Sequence, residues 1–300
     1  MEISIQTPLL HSLPLSQRSG CNVWLKMESA QPTGSFKLRS AAHACRYYAE
    51  QGAKGFISSS GGNAGIAVAH SCRKLGLPVT VVVPETTSLR ARELIEQEGA
   101  TLVVHGNVWS EANDYALSLA TDEVIYIHPF DNPLLWAGIS TLVDEVIAAG
   151  VTPDAVILSV GGGSLLSGIA QGLEKHHLSH IPIYAVETEG TASLNASVNA
   201  GKLVRLEKVS GIATTLAASQ VCENAFNVAS RFEVRSQVVS DAEAVRACRL
   251  LLDDHRVLTE PACGVSLSLL YDNKLRFAPT DNVLVIVCGG ASVTLESLLG

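Results

Sequence analysis

The chain has 300 residues, of which 47% are hydrophobic and 17% charged, and 21 Lys and Arg face 29 Asp and Glu for a formal net charge of -8. That length and apolar share suit one large or two unequal units around a sizeable core, while the acidic balance excludes nucleic-acid binding, which needs clustered Lys and Arg. No run approaches the roughly 20 apolar residues of a membrane span, and the N-terminus lacks a basic start followed by an apolar core, so a soluble cytoplasmic protein is expected.

The first informative segment is Pro32-Thr33-Gly34-Ser35-Phe36-Lys37-Leu38. A lysine amine becomes a useful nucleophile when its surroundings lower its pKa and a carbonyl compound is held against it. Alone, a lysine after phenylalanine is an ordinary helix residue with its stem on apolar surface and its charge in water. A short strand, Gly55-Phe56-Ile57-Ser58, then leads into Ser58-Ser59-Ser60-Gly61-Gly62-Asn63-Ala64-Gly65 and an apolar helix from Ile66 to Leu75. Hydroxyls, an amide and the free N–H groups of a helix start converge there, which suits a carboxylate.

Pro78-Val79-Thr80-Val81-Val82-Val83-Pro84 reads as a buried parallel strand bounded by prolines. A helix from Ser88 to Glu98 and strands at Thr101–Val104 and Val124–Ile127 follow. The apolar strand Ala155–Val160 then enters Gly161-Gly162-Gly163-Ser164 and a helix from Leu165 to Leu173. Successive glycines let main-chain amides fold around a phosphate without side-chain interference. Neither the Gly-Lys-Ser/Thr ending of a nucleotide loop nor the dinucleotide glycine spacing is present.

His176-His177-x-x-His180 lies at the polar end of that helix before Pro182 and reads as a solvated terminus rather than a metal site. Strands at Ile183–Val186 and Gln237–Val239 precede Val283–Val287, which runs into Cys288-Gly289-Gly290 at the end of a strand, where sheets deliver residues to ligands. By itself Cys288 reads as a buried structural thiol, which is what free cysteines usually are. The seven cysteines are odd in number, scattered, and form no Cys-x-x-Cys pair, so they read as reduced thiols. Strands alternating with helices imply crossover units and parallel sheets with helices on both faces.

With Lys37, the Ser-Gly-Gly-Asn turn, the tri-glycine turn and Cys288-Gly289-Gly290 in this order, the chain resembles the fold-type-II pyridoxal phosphate (PLP) enzymes. The likeness is greatest to the L-serine/L-threonine dehydratases of the serine dehydratase-like group. It runs from Thr7-Pro8-Leu9 through Trp24-Leu25-Lys26-Met27-Glu28 to Leu258-Thr259-Glu260-Pro261-Ala262-Cys263-Gly264 and the final strand end. The resemblance implies a two-domain α/β fold of the tryptophan synthase β type with PLP between the domains. Residues 39–134 would form the small domain, and residues 1–38 with 135–300 the large one.

The resemblance also implies roles. Lys37 would bind PLP through its amine and act as the base, and Phe36 would pack on one ring face with Thr215 on the other. Asn63 would bond the 3′ oxygen, Gly161, Gly162, Gly163, Ser164 and Leu165 would hold the phosphate, and Cys288 would face the pyridine nitrogen. Ser60, Gly61 and Asn63 would bind the substrate carboxylate. A monovalent or divalent cation would sit on Glu187 with the carbonyls of Gly161, Thr191, Leu216 and Ala218, unless Glu187 simply caps a neighbouring loop.

The implied reaction is elimination from L-serine or L-threonine, giving pyruvate or 2-oxobutanoate and ammonium, by a cytoplasmic homodimer. A neutral thiol at the ring nitrogen, in place of an acid, suits elimination over full carbanion chemistry. Two departures stand out: Ser164 replaces the fourth glycine of many relatives, and Gly61 stands where serine racemases carry a serine. β-Replacement of the cysteine synthase type and a catalytically silent PLP-fold protein are the competing readings.

Overall fold

The computed structural model describes residues 2–299. Among them the strands are β1 (Leu9–His11), β2 (Asn22–Lys26), β3 (Gly55–Ser58), β4 (Val79–Val83), β5 (Thr101–Val104), β6 (Val124–Ile127), β7 (Ala155–Ser159), β8 (Ile183–Thr188), β9 (Val234–Val239) and β10 (Asn282–Ile286). They form two sheets, one ordered β1-β2-β10-β7-β8-β9 and the other β5-β4-β3-β6. Every pairing is parallel except β1 with β2, which is antiparallel. The apolar runs that identify β4, β7 and β10 are buried along nearly their whole length, as parallel strands covered by helices on both faces must be.

Each sheet has its own core. Phe56, Val81, Val83, Ile66 and Ile95 pack together around the four-stranded sheet. Val156, Ile157, Leu158, Val285, Ile286 and Leu166 pack around the six-stranded one. The helix Pro133–Ala148 joins the two, with Leu135 in the first core and Ile139, Leu142 and Val143 in the second. It lies close against the helix Ser164–Lys175: a Cβ on Gly168 would fall 2.4 Å from Ile139 Cβ, so only glycine permits this approach. No described helix is long and apolar enough to cross a membrane.

The helix that opens at Lys37 (Lys37–Glu50) is tied down by charge as well as by packing. Arg39, 4% exposed, grips fully buried Glu28 through Nε (2.7 Å) and Nη2 (2.9 Å), and grips Glu145 through Nη1 (2.5 Å) and Nη2 (2.7 Å). Lys26 Nζ reaches the same Glu145 and the Thr7 carbonyl. Two cations and two anions thus bind the N-terminal arm, the Lys37 helix and the helix Pro133–Ala148 into one unit.

The parallel topology places the ends of several strands along one rim. In the larger sheet β7 and β10 are neighbours, so Gly161–Gly163 and Cys288 emerge side by side. In the smaller sheet β3 lies between β4 and β6, which sets the Ser58–Gly62 turn beside Thr87 and His128.

Candidate active site

The Lys37 segment is stitched directly to the end of β10. Phe36 N–H donates to Cys288 O (3.1 Å), Gly290 N–H donates to Gly34 O (2.9 Å), and Ser35 bridges to Gly289. Gly289 must be glycine here, since at φ +103 a Cβ would lie 2.0 Å from the Gly34 carbonyl oxygen. The amine of Lys37 donates to Pro129 O (2.8 Å) and Ser164 Oγ (2.9 Å), and lies 5.0 Å from the centre of the Phe36 ring. Lys37 keeps some accessible surface, but its amine sits among protein atoms, and desolvation pushes its pKa down to about 8.

The tri-glycine turn opens the helix Ser164–Lys175 without any side-chain cap. Among the described residues, the main-chain N–H groups of Gly161 through Leu165 donate to no protein acceptor. A Cβ on Gly162 would enter the Phe130 ring at 2.2 Å, and one on Gly163, at φ +92, would meet Ala225 Cβ at 2.4 Å. A set of free N–H donors at a helix start, lined by glycines and facing a buried amine, fits the phosphate and carbonyl of the PLP that the sequence implies. The Ser164 hydroxyl accepts from the Lys37 amine, and its own proton remains available to donate.

In the Ser58–Gly62 turn, Gly62 N–H donates to Ser60 Oγ (3.3 Å). The turn is braced from behind by Ser59 Oγ, which lies 2.9 Å from Asn113 Oδ1 and 2.8 Å from the Tyr126 hydroxyl. The space beside Gly61 is filled by Thr87, whose Oγ1 would be 2.4 Å from an added Cβ. Asn63 does not stand alone. Its Oδ1 accepts from Ala291 N–H (2.9 Å), and its Nδ2 donates to Glu260 Oε1 (2.8 Å), which also accepts from Thr215 Oγ1 (2.7 Å).

Glu260 and His128 are the site residues that sequence reasoning passes over. Burial pushes the Glu260 carboxyl up to about 7 against the hydrogen bonds from Thr215 and Asn63. His128 accepts at Nδ1 from Phe130 N–H (3.2 Å) and Asp131 N–H (2.8 Å), so it shapes the loop whose Pro129 carbonyl takes the Lys37 amine. Burial, with the charge of Lys37, pushes its pKa down to about 4. A signal for Glu260 existed in the acid placed immediately before Pro261 at the start of an apolar helix, but that pattern equally describes an ordinary helix start.

Cys288 is buried, and a hydrogen bond with the Cys263 thiol, together with burial, pushes its pKa well above the usual thiol range, so it is a neutral group. Glu187 is fully buried, and its two oxygens accept from Leu194 N–H and Asn195 N–H, both at 2.8 Å. It therefore caps the helix Ser193–Ala200. Gly161 packs on Leu216, whose carbonyl accepts from Ala218 N–H (2.6 Å), and Thr191 Oγ1 pairs with Thr188 Oγ1 (2.9 Å).

The chain matches, over residues 2–289, the family described as pyridoxal-phosphate dependent enzyme. It is 46% identical to a serine dehydratase-like protein of Rattus norvegicus over 302 residues, covering 97% of this chain and 92% of that one. It is 41% identical to an L-serine dehydratase/L-threonine deaminase of Homo sapiens, covering 99% and 94% respectively. The crystal structure of a fungal L-serine ammonia-lyase from Rhizomucor miehei superposes with a TM-score of 0.94 at 36% identity, covering 99% of this chain and 98% of that one.

Proposed function

The chain belongs to the pyridoxal-phosphate dependent enzyme family, and we propose that it is an L-serine and L-threonine ammonia-lyase. The observation that carries this reading is the buried amine of Lys37, held between the glycine cradle and a neutral thiol strand end. When bound, PLP supplies the carbonyl that tethers an amino acid and the electron withdrawal that acidifies its α-proton. The Lys37 amine would take that proton as general base. Ser60, Gly61 and Asn63 orient the substrate carboxylate at the start of the helix Asn63–Leu75, and Ser164 with Pro129 O holds the amine in place.

In net terms the α-hydrogen and the β-hydroxyl leave L-serine as water. The aminoacrylate so released takes up water and yields pyruvate and ammonium; L-threonine yields 2-oxobutanoate in the same way. Release of 2-oxoacid from L-serine by the PLP-loaded protein tests the reading. Turnover of O-acetylserine with sulfide, without pyruvate from L-serine, would replace it by β-replacement.

The pKa of Lys37 makes a separate prediction. Only the unprotonated amine attacks a carbonyl, so covalent capture of PLP by the apoprotein should accelerate as pH rises through about 8. An ordinary lysine would show its midpoint near ~10.4. Stopped-flow capture rates measured across this interval distinguish the two, and a midpoint in the ordinary range would mean that the amine is not desolvated.

The unit boundaries after residues 38 and 134, the cation on Glu187, Gly161, Thr191, Leu216 and Ala218, the homodimer and the cytoplasmic location belong to this proposal. The partition into two sheets supports the boundaries. Seven unpaired buried cysteines support a reducing compartment.

A further inference from the structure

We infer that Glu260 is a positioning residue: together with the main-chain N–H of Ala291 it holds the Asn63 amide with its donor side towards the cofactor, and so governs how tightly the cofactor is held. The inference deepens the proposed activity and rests on it for the place of the cofactor's 3′ oxygen beside Asn63.

An asparagine amide presents an acceptor on one side and two donor hydrogens on the other, and in isolation the two orientations are nearly equivalent. Here they are not. The main-chain N–H of Ala291 can only donate, so the atom facing it at 2.9 Å must be the carbonyl oxygen of Asn63. The opposite end, Nδ2, then donates one hydrogen to Glu260 Oε1 at 2.8 Å. Its second hydrogen is committed to no described residue and is the donor left for the 3′ oxygen. If the amide turned over, an acceptor would face that oxygen and the two would repel.

The same carboxylate oxygen takes the hydroxyl proton of Thr215 at 2.7 Å. With its oxygen turned back towards Glu260, Thr215 directs its methyl group to the substrate turn, where Cγ2 would lie 3.8 Å from a Cβ on Gly62. One side chain therefore orients a polar group of the Asn63 turn and an apolar group of the segment Thr214–Leu216. Glu260 is itself well fixed. It is 7% exposed, its N–H donates to Gly289 O (3.4 Å), and its Cγ occupies the space beside Gly290, where an added Cβ would lie 2.5 Å away.

The test titrates purified apoprotein with PLP and reads the visible absorption of the bound cofactor, independently of turnover. Glu260→Met, which keeps the shape and removes the acceptor, is expected to raise the cofactor Kd by about tenfold, as the loss of a buried hydrogen bond implies. Glu260→Gln still offers an acceptor oxygen and should stay within about threefold of wild type. Because Glu260 acts in part through Asn63, adding Glu260→Met to Asn63→Ala should cost clearly less than the two separate effects multiplied. Should Glu260→Met not fold, Glu260→Leu, which likewise offers no acceptor, carries the same expectations.

Wild-type affinity in the acceptor-free variant would overturn the inference, as would effects of the two sites that simply multiply, the mark of a merely structural role. A wild-type protein with no visible cofactor band would sink the proposed activity together with the inference. A normal wild-type band with unchanged affinity in the variant would sink the role of Glu260 alone.

Discussion

Replacing Lys37 by alanine is expected to lower 2-oxoacid release from L-serine by about 10²–10⁴-fold, the scale of losing a positioned general base. The loss should be near the upper end because the same amine is also the proposed point of covalent cofactor attachment. Two titratable groups that interact with the amine, Cys288 and His128, are poor substitutes in the proton transfer. Cys288 is neutral, its pKa pushed up by the Cys263 hydrogen bond and burial. His128, pushed down to about 4, has its Nδ1 occupied by two main-chain N–H groups. The check is pyruvate formation by wild type and Lys37→Ala at matched PLP loading, with thermal unfolding measured beside it. Residual turnover above a few per cent of wild type would mean that another base serves the reaction.

Arg39→Leu is expected to destabilise the protein by about 3–5 kcal/mol, the range for breaking a buried ion pair from one side. The guanidinium makes two hydrogen bonds to Glu28 and two to Glu145, and Glu28 has no exposed surface. Leucine would leave Glu28 with Thr7 Oγ1 (2.6 Å) and Gln31 Nε2 (3.5 Å) as its side-chain donors, too little to offset desolvation of a charge. Urea unfolding measures the loss, and a decrease below about 1 kcal/mol would mean that the network relaxes into water. A companion change, Glu28→Gln in the Arg39→Leu background, should recover part of the loss by removing the stranded charge.

The same network has a pH signature. Burial alone would raise the Glu145 carboxyl, but hydrogen bonds from Arg39 and Lys26 outweigh it and hold the pKa below the usual carboxylate value. A depressed carboxylate contributes stability that is complete above its unfolded pKa and is lost as pH falls through the folded one. The contribution of Glu145 is therefore present at neutral pH and disappears in acid. Because Arg39 lies two residues beyond Lys37 in the first turn of the same helix, loosening the network also loosens Lys37.

Much of this molecule is legible in one dimension because its signals are local. The apolar runs of β4, β7 and β10 identify buried parallel strands, since a strand covered on both faces has no polar side to alternate with. The two glycine turns mark strand-to-helix connections with free N–H groups, and Phe36-Lys37 supplies the amine. The antiparallel pairing of β1 with β2 carries no such signal, being three residues long with a largely exposed first partner. Charges are equally mute. Lys26, Glu28, Arg39 and Glu145 are residues that normally face water, and nothing in their spacing announces that they are buried together.

The sequence by itself determined the parallel α/β architecture, the lysine, the asparagine, the glycine cradle and the order in which they occur, because each depends on residues within a few positions of one another. Tertiary structure alone decided that Glu260 would meet Asn63 across 197 residues, that Ser164 would accept from Lys37 across 127, and that Thr87 would fill the space beside Gly61. Local chemistry is set by backbone propensity and side-chain type. The partners of a buried polar group depend on which strands neighbour each other in the sheet, and that is settled only when the whole chain packs.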